Sequence, residues 1–211
     1  MRRAEIARWL LRITHKAVPR VKTYFRFCGM KLYIPYSVFN PVLTASTELL
    51  IKNLDPKGVM VEMGSGSGAI SIYAALNFDL KMILGYDINP VAVAASRLNA
   101  RMNNANASFQ LGSPHIKADY MIMNPPYLPV DPLDSLDLNW CGGTDLRILR
   151  GMLEHASKLL RYGGELMTTT SSLTGVDTTM SIMRRCGLNP RVSDFRLTPL
   201  DMVYVIRGVK S

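Results

Sequence analysis

Residues 59–68 read VMVEMGSGSG, and this stretch decides the fold. The run 59–63 is apolar apart from Glu62 and has the length and composition of a buried strand. Three glycines follow at once, at Gly64, Gly66 and Gly68, and a helix is predicted over 68–77. Because glycine has no Cβ, a loop of this kind can lie directly against a ligand. The stretch therefore predicts the first strand–loop–helix unit of a ligand-binding α/β domain.

The rest of the chain continues this alternation of strands and helices. Further strands are predicted at residues 82–86, 108–111, 119–123, 165–170, 192–197 and 202–207. Further helices are predicted at residues 44–53, 90–103, 145–160 and 178–186. Such alternation predicts a Rossmann-like, doubly wound α/β fold whose mostly parallel sheet ends in a C-terminal antiparallel hairpin. We assign residues 38–211 to this domain.

The net charge of the chain is concentrated near its N-terminus. The 211 residues carry a net charge of +9, and residues 1–31 contain nine basic side chains and one acid, Glu5. A small hairpin is predicted over 21–27 and 31–34, around Gly29. We therefore treat residues 1–37 as a basic N-terminal extension, made of a helix and this hairpin. Its charge predicts a polyanionic partner, and RNA contact through residues 1–31 is one hypothesis.

The predicted N-terminal helix, residues 2–17, has two different faces. Pro19 is expected to end it. Apolar and cationic residues fall on opposite sides, with Ile6, Leu10, Ile13 and Ala17 on one and Arg8, Arg12 and Lys16 on the other. One interpretation is a helix that packs on the domain through its apolar face and leaves the cationic row in solvent. A helix that contacts RNA and a helix that lies on a membrane surface are the alternatives.

The composition argues against several classes of protein. Hydrophobic residues make up 48% and charged residues 19%, as in a globular domain. No apolar run reaches the ~18 residues of a membrane span, and no signal-peptide core is present. Cys28, Cys141 and Cys186 are widely spaced, so we expect neither a bound metal nor a disulfide framework. A reducing, cytoplasmic location is the expectation.

A second motif, Asn124-Pro125-Pro126-Tyr127, follows the predicted strand 119–123. A residue before proline is held extended, and proline itself donates no N–H. The Asn124 side-chain oxygen and the Pro125 carbonyl are therefore predicted to accept from the two hydrogens of one planar NH2 group. Tyr127 would stack on that group. The candidate catalytic residues are thus Asn124, Pro125 and Tyr127.

Acids near the glycines predict a second ligand. Asp87 ends a predicted strand about twenty residues after them, where a carboxylate can bind both hydroxyls of a ribose. Ile88 follows and would lie near an adenine ring. Glu62 suits the ammonium group of S-adenosylmethionine, whereas it would repel a pyrophosphate. The spacing Gly64-x-Gly66-x-x-Ala69 also allows NAD, so an NAD-dependent oxidoreductase and a non-catalytic nucleotide-binding protein stay open.

These motifs together resemble those of class I S-adenosylmethionine-dependent methyltransferases. More narrowly, they resemble the HemK/PrmC family of protein N5-glutamine methyltransferases, over about residues 38–211. Four stretches carry the resemblance: EMGSGSG at 62–68, DINP at 87–90, NPPYLP at 124–129 and GGTD at 142–145. The stretch SSLT at 171–174 is similar to the small archaeal and eukaryotic branch of that family.

The resemblance implies a donor, an acceptor and partners. The donor is S-adenosylmethionine, bound by Glu62, Gly64, Gly66, Gly68, Asp87, Ile88, Ser113 and Asn124. Ser113 stands where the family usually has an acid near the adenine. The acceptor is a glutamine of a translation release factor, and a small zinc-binding activator subunit is a further implied partner.

Two further expectations concern the acceptor that the Asn-Pro-Pro-Tyr motif binds and the loop that follows the motif. The motif is shared with N6-adenine and N2-guanine methyltransferases, so an RNA or DNA acceptor is the alternative. Asp131, Asp134 and Asp137 lie in the loop after the motif, where they are expected to form a solvated rim.

Overall fold

The computed structural model describes the backbone of residues 2–211 and all of their side chains except those of residues 2 and 19–21. A helix and a hairpin come first, α1 (Arg2–Val21), β1 (Tyr24–Phe27) and β2 (Met30–Tyr33). Helices and strands then alternate, as α2 (Ala45–Lys52), β3 (Val59–Met63), α3 (Ala69–Asn77), β4 (Met82–Asp87), α4 (Pro90–Met102), β5 (Ser108–Leu111), β6 (Ala118–Met123), α5 (Arg147–Leu159), β7 (Leu160–Ser171), α6 (Val176–Arg185), β8 (Leu188–Leu197) and β9 (Met202–Lys210). Every element predicted from residue 44 onward is present. The largest difference is at β7, which begins at Leu160 instead of Glu165 because Leu160 pairs with Ala118 across a register shift.

Seven strands form one sheet in the order β5-β4-β3-β6-β7-β9-β8. Strands β3 to β7 pair in parallel, and β9 is antiparallel to both β7 and β8. The predicted doubly wound, mostly parallel sheet with a C-terminal antiparallel hairpin is therefore confirmed. The direction of winding reverses between β3 and β6, and ligands of such folds bind beside this switch point.

Both faces of the central strands are buried. Met60 and Ile122 pack into a core with α2, α3, α4 and the β1–β2 hairpin. Val61 and Met121, their neighbours in the chain, pack into a second core with α5 and α6. Burial on both faces explains why these strands appear in the sequence as continuous apolar runs.

The parallel register brings the predicted motifs to one edge of the sheet. Met63 lies opposite both Tyr86 of β4 and Met123 of β6, so the three strands end together. Gly64 N and Ser65 N both donate to the Tyr86 carbonyl, at 2.8 and 2.9 Å. The glycine loop, Asp87 and Asn124 consequently share one crevice.

Helix α1 extends beyond its predicted end. It runs to Val21, and Lys22 N donates to the Val18 carbonyl at 2.9 Å. The expectation that Pro19 ends the helix is therefore wrong. A proline within a helix removes its own N–H from the ladder and crowds the carbonyl four residues before it, and here the helix stops within one turn after the proline.

Helix α1 also packs on the domain through a face other than the predicted one. Ala4 and Ala7 are buried against an apolar cluster that includes residues of the 128–143 loop. His15 is buried on the same face. Ile6 and Ile13, which the helical pattern assigns to the docked face, are 51% and 44% exposed. That part of the sequence interpretation is wrong.

Ion pairs select the docked face. Arg12 donates to Asp134 and to Asp137, both at 2.7 Å, and the Asp137 side chain is fully buried. Arg8 donates to the Asp131 carbonyl at 2.9 Å. Arg8 and Arg12 of the cationic row thus face the domain, and the expected solvated rim is wrong for Asp137.

A comparison of two energetic costs explains why α1 packs through Arg12 and leaves Ile6 and Ile13 exposed. Leaving one partner of a buried ion pair uncompensated costs about 3–5 kcal/mol. Leaving Ile6 and Ile13 half exposed costs about 1 kcal/mol each. The hydrogen bonds to Asp134 and Asp137 also raise the pKa of Arg12 and, in return, lower the pKa of Asp134.

The β1–β2 hairpin forms around the predicted glycine. Cys28 and Gly29 both have positive φ, 46° and 80°, as in a two-residue type I′ turn. Phe25 and Leu32 are buried in the core that also contains β3.

The division of the chain at residue 37 stays a prediction. Among the helices of residues 2–211, none combines the length and apolar character needed to cross a membrane.

Replacing Arg12 with Met should destabilise the protein by about 3–5 kcal/mol, because the buried Asp137 carboxylate loses its cation. Arg8→Met is the matched control, since among the described residues Arg8 bonds a surface carbonyl and no carboxylate, and we expect a change below about 1 kcal/mol. Urea unfolding measures both. Adding Asp137→Asn to Arg12→Met should recover part of the lost stability, because the carboxylate that lacks a cation is then removed. Equal destabilisation by Arg12→Met and Arg8→Met would contradict the ion-pair account.

Candidate active site

A cavity of about 660 Å³ opens at the carboxyl ends of β3, β4 and β6. Its volume is in the range of small-molecule sites. Seven residues predicted from the sequence line it, namely Glu62, Gly64, Gly66, Asp87, Ile88, Ser113 and Asn124. Of the other predicted residues, Gly68, Pro125 and Tyr127 are not part of the described lining.

The three glycines have different roles. All have positive φ, 75° at Gly64, 53° at Gly66 and 80° at Gly68. A methyl group added at Gly68 would lie 2.9 Å from both Phe109 Cζ and Ser96 Cβ, so this glycine is required by packing. At Gly64 and Gly66 the nearest atoms would be 3.7 and 4.0 Å away. These two positions therefore leave room for a ligand to approach the backbone.

Glu62 is a buried acid at the base of the cavity. It is 2% exposed, and its Oε2 accepts from Ser71 N at 3.0 Å and from Ser71 Oγ at 2.5 Å. Ser71 lies in the first turn of α3, where the helix dipole favours a negative charge. Burial nevertheless dominates and raises the pKa of Glu62 to about 8. A cation bound in the cavity would favour the ionised form.

Asp87 is held by the backbone at the end of β4. Its Oδ2 accepts from Gly66 N at 2.8 Å, and its Oδ1 accepts from Asn89 N at 2.9 Å. Burial raises the pKa of Asp87. Each oxygen keeps a lone pair for a further donor, so the carboxylate can bind two hydroxyls. Beside it, Ile88 is 73% exposed and forms part of the cavity wall.

Asn124 is fixed by three hydroxyl groups. Its Oδ1 accepts from Thr169 Oγ1 at 2.7 Å. Its Nδ2 donates to Ser46 Oγ at 3.0 Å and to Thr47 Oγ1 at 3.2 Å. A carbonyl oxygen has two lone pairs, so one remains for a ligand in the cavity. The side chain therefore presents an acceptor of fixed direction.

Sequence reasoning missed these three supporting residues. Ser46 and Thr47 begin α2, and Thr169 lies on β7, so both elements are distant in the chain from the motif they support. One signal was available, because three threonines at 168–170 are unusual in a strand expected to be buried. All three are fully buried in the structure.

Pro125 and Tyr127, the other candidate catalytic residues of the motif, have different surroundings. Among the described residues, none donates to the Pro125 carbonyl, which remains a free acceptor. Tyr127 packs between two apolar clusters, and its carbonyl accepts from Thr174 Oγ1 at 2.5 Å. Burial also raises the pKa of the Tyr127 phenol. Tyr127 is not part of the described cavity lining, so stacking of its ring on a ligand stays a prediction.

Segments outside the strand–helix units cover the cavity. Ser37 and Phe39 line it from the segment after β2, and the Ser37 carbonyl accepts from Asn89 Nδ2 at 3.1 Å. Ser135, Leu138 and Asn139 line it from the 128–143 loop. Arg12 of α1 holds that loop through its bonds to Asp134 and Asp137. Helix α1 is thereby connected to the cavity wall.

The residues that the structure describes contain no group of three or more His, Cys, Asp or Glu side chains placed to hold a metal ion. Glu62, Tyr86 and Asp87 are the ionisable side chains in the described lining. Both acids lie on the side of the glycine loop, so the surroundings of Asn124 are polar and uncharged.

Comparison with known proteins relates the chain to one group of enzymes. A family described as "Methyltransferase small domain" matches residues 37–196. A protein of Methanocaldococcus jannaschii, described provisionally as a protein N5-glutamine methyltransferase, is 35% identical over 191 residues, which cover 85% of this chain and 95% of the relative. The release factor glutamine methyltransferase of Geobacter sulfurreducens is 25% identical over 180 residues. That match covers 76% of this chain and 62% of the relative.

A solved structure supports the fold assignment. A methyltransferase from Pyrococcus furiosus superposes with a TM-score of 0.66 over 98% of each chain, at 18% identity. A likeness at this identity concerns the fold, which is that of class I methyltransferases.

Replacing Glu62 with Gln should make stability less dependent on pH. In the unfolded chain Glu62 ionises near its ordinary pKa of 4.5, whereas in the folded protein it stays protonated up to about pH 8. The wild type should therefore lose stability relative to Glu62→Gln as the pH rises from 4.5 to 8, by up to about 1.4 kcal/mol per pH unit. Urea unfolding between pH 5 and pH 8 measures the difference, with exposed Glu5→Gln as control. A difference that does not change with pH would contradict a neutral buried carboxyl.

Proposed function

Since the chain belongs to the methyltransferase small domain family, we propose that it is an S-adenosylmethionine-dependent N-methyltransferase. We further propose that its acceptor is a glutamine side chain of a translation release factor. One observation supports this most directly: the Asn124 amide is held by three hydroxyls at the edge of a cavity that the glycine loop also lines. A planar NH2 group is the acceptor that such a fixed amide fits.

The cavity fits the proposed donor. Glu62 would pair with the methionine ammonium, which returns the buried carboxyl to its ionised form. Asp87 would accept from the ribose hydroxyls, while Ile88 and Ser113 would contact the adenine. Gly64 and Gly66 leave room for the donor along the loop. When bound, S-adenosylmethionine supplies a methyl group made electrophilic by a positive sulfur.

Asn124 orients the acceptor nitrogen. Its free Oδ1 lone pair and the unbonded Pro125 carbonyl would accept from the two N–H groups of an amide. These bonds raise the electron density on a nitrogen whose lone pair is otherwise delocalised, and they direct that lone pair toward the donor. Orientation of this kind supplies much of the rate in a displacement reaction. The proton can leave the nitrogen after transfer, consistent with the uncharged surroundings of Asn124.

A protein glutamine is favoured over a nucleobase by the relatives. The one at 35% identity, which this chain matches over 95% of its length, is described as acting on protein glutamine. A zinc-binding activator subunit remains a prediction from the family resemblance. Strand β5 lies at the edge of the sheet and Leu111 on it is 59% exposed, so that edge is open to a partner.

Transfer of a radiolabelled methyl group to candidate acceptors tests the proposal. Purified release factor and total RNA are offered separately, each with and without the wild-type enzyme. Label in release factor that disappears when its target glutamine is replaced supports the proposal. Label in RNA alone would overturn the acceptor and leave the donor assignment intact.

Replacing Asn124 with Ala should lower the rate of methyl transfer at least about 100-fold and change donor affinity less than about threefold, because the acceptor loses its orientation. Thr169→Val should lower the rate by a smaller factor, since Asn124 keeps two of its three partners. Thr170→Val is the matched control, because Thr170 bonds Thr179 instead. Single-turnover kinetics and calorimetry measure rate and affinity, and wild-type turnover in Asn124→Ala would refute the orienting role.

Replacing Asp87 with Ala should weaken donor binding by about 10-fold or more, because two hydrogen bonds to a charged acceptor are lost. Calorimetric titration with S-adenosylmethionine measures the affinity, and Asp145→Ala on the surface is the control. Tight binding of NAD together with no binding of S-adenosylmethionine would instead favour an oxidoreductase.

A further inference from the structure

The outward face of the β1–β2 hairpin carries an arrangement that the active site does not use. Tyr24 lies opposite Tyr33, and Arg26 lies opposite Lys31. These four residues share one face, because the intervening Phe25 and Leu32 are buried on the other. An aromatic pair therefore stands next to a cationic pair, about 7 Å apart along the strands.

The aromatic pair offers one accessible ring, that of Tyr24. Tyr24 is 57% exposed, and its ring centroid is 5.2 Å from that of Tyr33, with the planes tilted by 46°. Among the described residues, none forms a hydrogen bond with either phenol hydroxyl. An exposed aromatic ring of this kind can stack on another ring.

The cationic pair is unfavourable for the hairpin alone. Like charges directly opposite one another destabilise antiparallel strands. Within the described side chains, no salt bridge involves Arg26 or Lys31. Glu48, which lies near Cys28 in the hairpin turn, is already paired with Arg196 at 2.5 Å. An anion bound on this face would relieve the repulsion.

Docking of α1 engages two of its cations within the chain. Arg12 is paired with Asp134 and Asp137, and Arg8 faces the Asp131 carbonyl. These two residues are therefore occupied within the chain. Lys22, between α1 and β1, has its ammonium 5.4 Å from the ring centroid of the inward-facing Phe25, so the cations of the outward face are Arg26 and Lys31.

We propose that the outward face of the hairpin, formed by Tyr24, Tyr33, Arg26 and Lys31, binds a short segment of single-stranded RNA. One base stacks on the exposed ring of Tyr24, and Arg26 and Lys31 contact the adjoining phosphates. The phenol hydroxyls can bond a ribose 2′-OH, the group that distinguishes RNA from DNA. The four residues lie outside the described cavity lining, so this contact is independent of the methyl acceptor.

Charge-removing variants test the phosphate contacts. Arg26→Gln with Lys31→Gln is compared with Arg184→Gln with Arg185→Gln, which removes the same charge from exposed positions on α6, on the opposite side of the sheet. Fluorescence anisotropy follows a labelled 12-nucleotide single-stranded RNA of adenosine and cytidine between about 50 and 300 mM salt. In the hairpin variant the slope of log Kd against log[salt] should be smaller by about 1.4, because two phosphate contacts are lost. The α6 variant should leave this slope unchanged. Equal reductions, or no binding by the wild type at 10 µM, would overturn the proposal.

Removing the exposed ring tests the stacking contact. Tyr24→Thr keeps a residue suited to a strand, and it should weaken RNA binding about fivefold or more without changing the salt dependence. Unchanged affinity for S-adenosylmethionine and an unchanged unfolding temperature show that the variants are folded. The same oligonucleotide as DNA should bind more weakly, and as an RNA duplex more weakly still. Equal affinity for the DNA would refute the choice of RNA, and equal affinity for the duplex would refute the stacking.

Discussion

Parallel pairing of β3 with β6 is the constraint on which the rest of the site depends. The register aligns Met60 with Tyr120 and Met63 with Met123, so both strands end at the same level. The glycine loop and Asn124 therefore begin side by side, although about sixty residues separate them in the chain. A slip of one residue would turn Glu62 toward the other core, because side chains alternate between the faces of a sheet.

The site places polar groups where burial is unfavourable for them. Glu62 is buried with serine as its hydrogen-bonding partner, and burial raises its pKa to about 8. Asn124 needs hydroxyls from α2 and β7 to satisfy its amide. Buried acids with shifted pKa values are a frequent property of functional sites. A donor that carries a positive charge would convert the unfavourable burial of Glu62 into a contribution to binding.

Helix α1 shows how electrostatics can override a hydrophobic pattern. Its sequence contains one apolar and one cationic face, and periodicity alone favours burial of the apolar one. The domain, however, presents the buried Asp137 to the helix, and Arg12 is the cation that reaches it. The result leaves Ile6 and Ile13 exposed and ties the helix to the loop that covers the cavity. The hairpin, whose inward residues are apolar, carries two further cations, Arg26 and Lys31, on its outward face.

The sequence by itself determined the strand–helix alternation, the glycine loop and the order of Glu62, Asp87 and Asn124, because these follow from local periodicity and from the conformations of glycine and proline. Only the tertiary structure decided which side chains support them. Thr169 and Ser46 reach Asn124 across 45 and 78 residues, and Arg12 reaches Asp137 across 125. Tyr127 likewise packs against two apolar clusters. Such contacts depend on strand order and on which buried charge needs a partner. The spacing of neighbouring residues in the sequence determines neither of these.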